Sequence, residues 1–267
     1  MARSNQPRMY SGKISGEHTP VISPMCPPPP RSETRRVLSK THQEDFMRRK
    51  LGLLLASVAL AAFGFPAVAN AAEPNPVVFV HGYSGSASNW TAAEAQFRLS
   101  GYSDSQLHSF EYDWSQSNER SAAELAGYVD NVLAETGADK VDIVNHSMGG
   151  LVSRWYMKEL GGHTDVGHWA SLAGANQGTT SASTCLQNAS CREMTPGSDF
   201  EEQLNSGDRT PGDSEYATWY SACDGVIIPY TNTRVTGADN NRTTCTTHIG
   251  FLSDTSTLGE VVDFLEA

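Results

Sequence analysis

The chain has 267 residues, with 19 Lys and Arg against 30 Asp and Glu and a net charge of −11 at pH 7. That charge is unevenly divided: residues 1–71 carry 10 basic and 4 acidic side chains, and residues 72–267 carry 9 basic and 26 acidic ones. A body so acidic argues against nucleic acid and against electrostatic binding to anionic membranes, while its 196 residues are enough for one domain with a sizeable core.

Residues 1–46 are polar, include the run Pro27 to Pro30 and show neither helical nor strand period. They are expected to be disordered, or an upstream extension from a mis-assigned start codon. Met47-Arg48-Arg49-Lys50 opens a second possible beginning, followed by the apolar stretch Leu51 to Phe65 and the small-x-small site Ala69-Asn70-Ala71. A basic start, an apolar middle and such a site predict a secretory signal peptide over 47–71. The apolar stretch is short for a membrane span, so no anchor is expected in the mature protein 72–267. The Arg48-Arg49 pair gives only weak support for twin-arginine export.

Pro76 to Val80 is a buried strand that ends at His81-Gly82-Tyr83, and Ser84-Gly85-Ser86 continues as a loop of small residues. A helix runs from about Asn89 to Leu99, and a second strand from Leu107 to Asp113. Ser121 to Glu135 reads as a helix with Leu125, Tyr128, Val129, Val132 and Leu133 on one face and Gly137 just past its end.

Val141-Asp142-Ile143-Val144 is a short β-branched strand, and the chain then turns through Asn145-His146-Ser147-Met148-Gly149-Gly150 into a helix with Leu151, Val152, Trp155, Tyr156 and Leu160 at helical spacing. A serine on a strand-to-helix turn is a nucleophile elbow, which pushes the hydroxyl into a cleft. The N–H of Met148 then lies free at a helix N-terminus, where it can stabilise an oxyanion. Asn145 occupies the first glycine position of the usual G-x-S-x-G pattern.

His168 to Ala173 is a strand entering the Gly174-Ala175-Asn176 loop, and Thr179 to Pro211 is rich in Ser, Thr, Asn and Gly. That stretch reads as a long loop or a short helical excursion, a tied-down surface insertion rather than a cover of the cleft. Ala217 to Ser221 is a strand delivering Cys223-Asp224-Gly225, Val226 to Tyr230 is a short apolar segment, and Leu258 to Leu265 is a closing helix. Strands alternating with helices imply an α/β fold with a parallel sheet covered on both faces. Four cysteines lie in the mature part, which in an exported chain suggests disulfides. Of three possible pairings, Cys185–Cys191 and Cys223–Cys245 are favoured; without a CxxC pair, a zinc site is not expected.

A serine hydroxyl is a poor nucleophile until a base takes its proton, and a carboxylate must fix that base. In the elbow fold the chain order is serine, acid, histidine. After Ser147 the histidines are His163, His168 and His248. The first two flank one strand ahead of any plausible acid loop, which leaves His248. Asp224 is the expected acid, following a strand, with Asp239 in a polar loop as runner-up and Asp208 and Asp213 read as solvated surface. A Cys223–Cys245 bridge would tie the acid loop to the base loop. The second oxyanion donor is expected to be Tyr83 N–H, paired with Met148 N–H, with His81 and His146 holding the turns.

The residues Val80-His81-Gly82, the strand and elbow from Val141 to Gly150, Gly174-Ala175-Asn176, Ser221-Ala222 with Asp224, and His248-Ile249-Gly250 with Leu252 resemble the small secreted bacterial lipases of class 2, the lipase A type of Bacillus. The resemblance spans nearly all of 72–267. It implies a minimal α/β-hydrolase with about six parallel strands, hydrolysis of carboxylic esters of acylglycerols at a lipid–water interface, and no metal or organic cofactor. It also implies Ser147, Asp224 and His248 as a triad, Tyr83 and Met148 as oxyanion donors, and a secreted protein acting as a monomer. Asn145, Tyr83 and the Thr179–Pro211 insertion depart from the family pattern. The alternatives are a carboxylesterase of short soluble esters, an acyltransferase on the same fold, and a binding module that keeps the elbow without turnover.

Overall fold

The computed structural model describes residues 73–267. The expected signal peptide and upstream extension lie outside the described residues. Six strands form one parallel sheet in the order β2-β1-β3-β4-β5-β6: β1 Val77–Val80, β2 Leu107–Phe110, β3 Val141–His146, β4 Val166–Leu172, β5 Glu215–Tyr220 and β6 Asp239–Arg242. The longer helices are α1 Thr91–Leu99, α2 Asn118–Thr136 and α3 Gly149–Glu159, and α6 Thr255–Leu265 closes the chain. Between β4 and β5 lie two short helices, α4 Ala189–Glu193 and α5 Asp199–Leu204. Among the described residues no helix is long and apolar enough to cross a membrane.

Side chains alternate across a strand, so a sheet covered on both faces needs apolar residues at every position. β1, Val77-Val78-Phe79-Val80, is buried throughout. Val78 and Val80 join Ile143 and Trp169 in a core beneath Leu125 and Val129 of α2 and Leu151 and Trp155 of α3. Val77 and Phe79 join Val144, Ala170 and Leu172 in a second core beneath Phe97 of α1 and Val261 and Leu265 of α6. Two helix layers thus sandwich the sheet, and its strands all end at one edge, where open α/β sheets place their ligands.

Three sequence expectations are corrected. The stretch Gly237 to Asn241 is not simply a polar loop: Asp239–Arg242 is strand β6, in parallel register with Ala217–Tyr220 of β5. Its residues are polar because it forms an edge with little to bury, so the hydrophobic pattern that marks the central strands is absent. Helix α2 begins at Asn118 rather than Ser121, since its first N–H, that of Asn118, finds an acceptor in Glu193 of the insertion. Strand β2 ends at Phe110, short of Asp113.

Candidate active site

The turn between β3 and α3 holds Ser147 at φ 57°, a left-handed conformation that non-glycine residues adopt only where the surroundings enforce it. Close packing does the enforcing. A Cβ on Gly149 would strike the carbonyl oxygens of Val80 and His81, and one on Gly82 would lie 2.6 Å from Ser147 Cβ. The elbow and the loop after β1 therefore meet backbone to backbone, which requires glycine on both sides.

Asn145 fits this elbow because its amide turns toward β4. Its Nδ2 donates to Ala170 O at 3.0 Å, and its Oδ1 accepts from Ser171 Oγ at 2.8 Å. Asn176 extends the network, donating to Ser171 Oγ at 3.0 Å and to Thr233 O at 2.7 Å. Gly150 leaves the room these amides need, since a Cβ there would meet both of them. All three polar side chains are fully buried; Asn145 and Ser171 are bonded throughout, while Asn176 Oδ1 is left without a partner, so the asparagine replaces a close glycine contact with a buried hydrogen-bond network.

The structure brings Ser147, Asp224 and His248 together at the carboxyl ends of the strands. His248 Nε2 lies 2.9 Å from Ser147 Oγ, and His248 Nδ1 lies 2.9 Å from Asp224 Oδ2. Asp224 Oδ1 accepts the N–H groups of Val226 at 2.8 Å and Ile227 at 2.7 Å. Burial pushes the Asp224 carboxyl upward, but the bond from His248 and those two amides outweigh it and hold the group below its usual range. An ionised Asp224 only accepts, so the imidazole carries its proton on Nδ1 and turns a lone pair toward the serine hydroxyl. Asp239 lies exposed on β6, Asp208 is exposed in the insertion, and Asp213 is exposed just after it. Of the two earlier histidines, His163 lies in a turn after α3 and His168 within β4, bonded to Asp142.

His248 is fixed from two further directions. Its N–H donates to Asp224 O at 3.1 Å. His146, on the elbow itself, donates from Nε2 to His248 O at 2.9 Å. Burial and the neighbouring His248 lower the pKa of His146 to about 3, so it remains a neutral donor across the working pH range. The Cys223–Cys245 disulfide joins the acid loop to the base loop with Cα atoms 5.0 Å apart, and Cys185–Cys191 closes the insertion loop with Cα atoms 5.7 Å apart.

Tyr83, on the loop after β1, lines the cleft, and Met148 follows Ser147 at the elbow with its side chain buried in the core. Among the described residues neither backbone N–H has an acceptor. The loop carrying Tyr83 is braced by His81, whose Nδ1 donates to Gly82 O at 2.9 Å and whose ring stacks on Tyr112 at 4.2 Å. The cleft has a volume of about 350 Å³, and Ser147 and His248 line it with Tyr83, Met194, Ile227 and Leu252.

Of the long loop and the short helical excursion that the sequence allowed, the insertion takes the helical form. It folds into a short 3-10 turn at Thr180–Thr184 followed by α4 and α5, and Thr179, Ala182, Cys185 and Met194 line the cleft. Its compaction depends on distant partners, such as Arg154 of α3 donating to Asn176 O at 2.7 Å and to Asn205 Oδ1 at 3.1 Å. No local period in the sequence signals such partners, and Asn188, Met194 and Arg154 escaped the sequence reading for that reason.

Parallel six-stranded sheet, elbow and buried Ser–His–Asp contact together define a serine α/β-hydrolase. The family profile Lipase (class 2) matches residues 74–260, and the chain belongs to the class 2 lipases, a family of lipolytic ester hydrolases. It is similar in fold to the mature form of the lipase BlEst2 of Bacillus licheniformis, at 19% identity and TM-score 0.65 over 72% of this chain and 92% of that one. It is also similar to lipase B of Aspergillus fumigatus, at 16% identity and TM-score 0.62 over 73% of this chain and 53% of that one. A metagenomic carboxyl esterase, MGS0156, gives 15% identity and TM-score 0.53 over 72% and 76%.

Proposed function

We propose that the protein is a secreted lipase that cleaves acylglycerol esters through Ser147, His248 and Asp224. The observation that carries this reading is the continuous contact from Asp224 through His248 to Ser147, with each link 2.9 Å and with Ser147 and His248 lining the cleft.

In the proposed cycle His248 Nε2 takes the Ser147 proton as Oγ attacks the ester carbonyl carbon. Tyr83 and Met148 N–H groups stabilise the oxyanion of the tetrahedral intermediate. Asp224 keeps the imidazole in its Nδ1–H form and stabilises the transient imidazolium. The C–O bond to the alcohol then breaks, and the leaving oxygen takes the proton from His248. Water, deprotonated by the same nitrogen, attacks the acyl-enzyme and releases the carboxylic acid and Ser147.

A lipid–water interface as the site of action is supported by the rim of the cleft. Ile249 is 67% exposed, and Val226, Ile228 and Leu186 stand out beside the cleft residues Ile227 and Cys185. Exposed aliphatic side chains gathered around an opening mark an interaction surface. The acidic body favours neutral lipid over an anionic membrane. Secretion is supported by the two disulfides and by the signal-like sequence at 47–71. We take the acting unit to be a monomer.

The test uses p-nitrophenyl esters from acetate to palmitate together with emulsified triolein. The reading expects hydrolysis of both classes, abolished in Ser147→Ala. Activity confined to short soluble esters would make the protein a carboxylesterase, and transfer of the acyl group to an added alcohol in preference to water would make it an acyltransferase. Ester hydrolysis near the wild-type rate in Ser147→Ala would overturn the serine assignment.

A further inference from the structure

The segment from Thr179 to Met194 runs along the cleft and is fastened at both ends. At the acid loop, Thr179 Oγ1 and Ser181 Oγ donate to Val226 O at 2.7 and 2.8 Å, and Ile228 N–H donates to Thr179 Oγ1 at 3.0 Å. The base of the segment is closed by Thr179 N–H donating to Met194 O at 3.0 Å. At the far end the Cys185–Cys191 disulfide encloses Asn188, whose Nδ2 donates to Tyr83 OH at 2.8 Å. Glu193 and Ser190 bind the first residue of α2, with Asn118 N–H donating to Glu193 Oε2 at 2.6 Å and Asn118 Nδ2 to Ser190 O at 3.2 Å. The Tyr83 ring rests edge-on against Trp114, with centroids 4.8 Å apart.

These contacts span the cleft from the loop that carries Asp224 to the loop that carries Tyr83. A covering lid needs a free end or a hinge, and this segment is tied down at its base, its middle and its tip. Its cleft-lining residues are Thr179, Ser181, Ala182, Thr184, Cys185 and Met194, and Ala182, Cys185 and Met194 among them present apolar surface suited to a hydrocarbon chain.

We propose that this disulfide-closed segment is a fixed wall that limits the length of acyl chain the cleft accepts, with Tyr83 as the specificity-determining residue and Asn188 as the residue that positions it. The Asn188–Tyr83 hydrogen bond joins the wall to the oxyanion loop and closes the cleft there. Breaking it frees the phenol ring to swing away and opens that end to longer chains. The inference rests on the ester-hydrolase reading above.

The experiment compares the purified wild type with Asn188→Ala, Tyr83→Phe and the double variant. Tyr83→Phe removes only the hydroxyl and keeps both the ring and the backbone N–H. kcat/KM is measured for p-nitrophenyl butyrate and palmitate presented in the same mixed micelles, and the palmitate-to-butyrate ratio is taken within each sample. A ratio cancels any loss of folded protein, which a purely structural role would produce. Each single variant is expected to raise the ratio about fivefold or more, because pockets discriminate methylenes by factors of this size. The double variant is expected to add nothing further, because both changes delete the same bond. A ratio within about twofold of wild type in either single variant, or increments that multiply in the double, would overturn the proposal. If the wild type cleaves neither ester, the hydrolase reading fails and the inference with it, a result distinct from an unchanged ratio.

Discussion

Two histidine–aspartate pairs sit at opposite ends of the same sheet with the same separation. His248 Nδ1 lies 2.9 Å from Asp224 Oδ2, and His168 Nδ1 lies 2.9 Å from Asp142 Oδ1. At the carboxyl end, Asp224 divides its work: one oxygen takes two backbone N–H groups and the other takes the imidazole. The imidazole is left with a free edge 2.9 Å from a serine in a cleft. At the amino end, Asp142 gathers His168 N–H, His168 Nδ1 and Asn75 Nδ2 on one oxygen, leaving Oδ2 buried without a partner. The His168 ring has Phe264 edge-on against it, at 5.3 Å between centroids. The pairing alone therefore makes no catalyst. What differs is the nucleophile at the imidazole's other nitrogen, and the elbow supplies it at one end only.

The largest effect that would sharpen this contrast is expected from Asp224→Asn. Without the carboxylate the imidazole adopts the wrong tautomer, and kcat should fall on the order of 10⁴-fold. Steady-state kinetics on p-nitrophenyl butyrate would measure it. His168→Phe at the other pair should leave kcat within about twofold of wild type, and an equal loss from both variants would break the contrast.

Next in size is His146. Removing its donor to the His248 carbonyl in His146→Phe should lower kcat by roughly 10- to 100-fold by misplacing the base, with KM little changed. His146→Gln keeps a donor and should recover most of the rate. Equal losses in the two variants would remove His146 from any positioning role.

His168→Phe should act on stability instead, leaving Asp142 buried without its cation at a cost of about 1–3 kcal/mol at pH 5.5. The bond to Asp142, aided by its charge, raises the His168 pKa above 6.5. A group raised on folding contributes fully below its unfolded value and loses that contribution as pH climbs through the folded value. Urea unfolding should thus show a larger gap between wild type and variant at pH 5.5 than at pH 9. A constant gap would mean that the pair does not titrate as described.

The smallest effect is expected at the elbow. Asn145→Gly restores the usual first glycine but leaves the buried Ser171 hydroxyl without its acceptor and Ala170 O without the amide donor, and should destabilise by about 1–2 kcal/mol while leaving KM unchanged. Thermal unfolding would measure this, and a variant more stable than wild type would show that the buried network contributes nothing.

The central strands and the elbow could be read directly, because Val77 to Val80 is apolar on both faces and Val141 to Val144 is β-branched apart from Asp142, as doubly covered strands are. Chain order after Ser147 singled out His248 and Asp224 without knowledge of distance. Strand β6 could not be read: an edge strand of Asp, Asn, Asn and Arg carries no hydrophobic signal. The reason Asn145 is tolerated was equally hidden, since Ser171, which bonds with it, is 26 positions further along the chain, and Asn176 joins only through Ser171. The insertion's role as a cleft wall depends on Asn188 meeting Tyr83 across 105 positions, a contact with no local trace.

The most direct test of the central claim, that Ser147 alone is activated, is labelling with a p-nitrophenyl alkylphosphonate followed by peptide mass spectrometry. The account predicts one phosphonyl group per chain, on the peptide containing Ser147, appearing in step with the loss of esterase activity, and no label in Asp224→Asn on the same timescale. A label on another serine, or activity that survives full modification of Ser147, would contradict it.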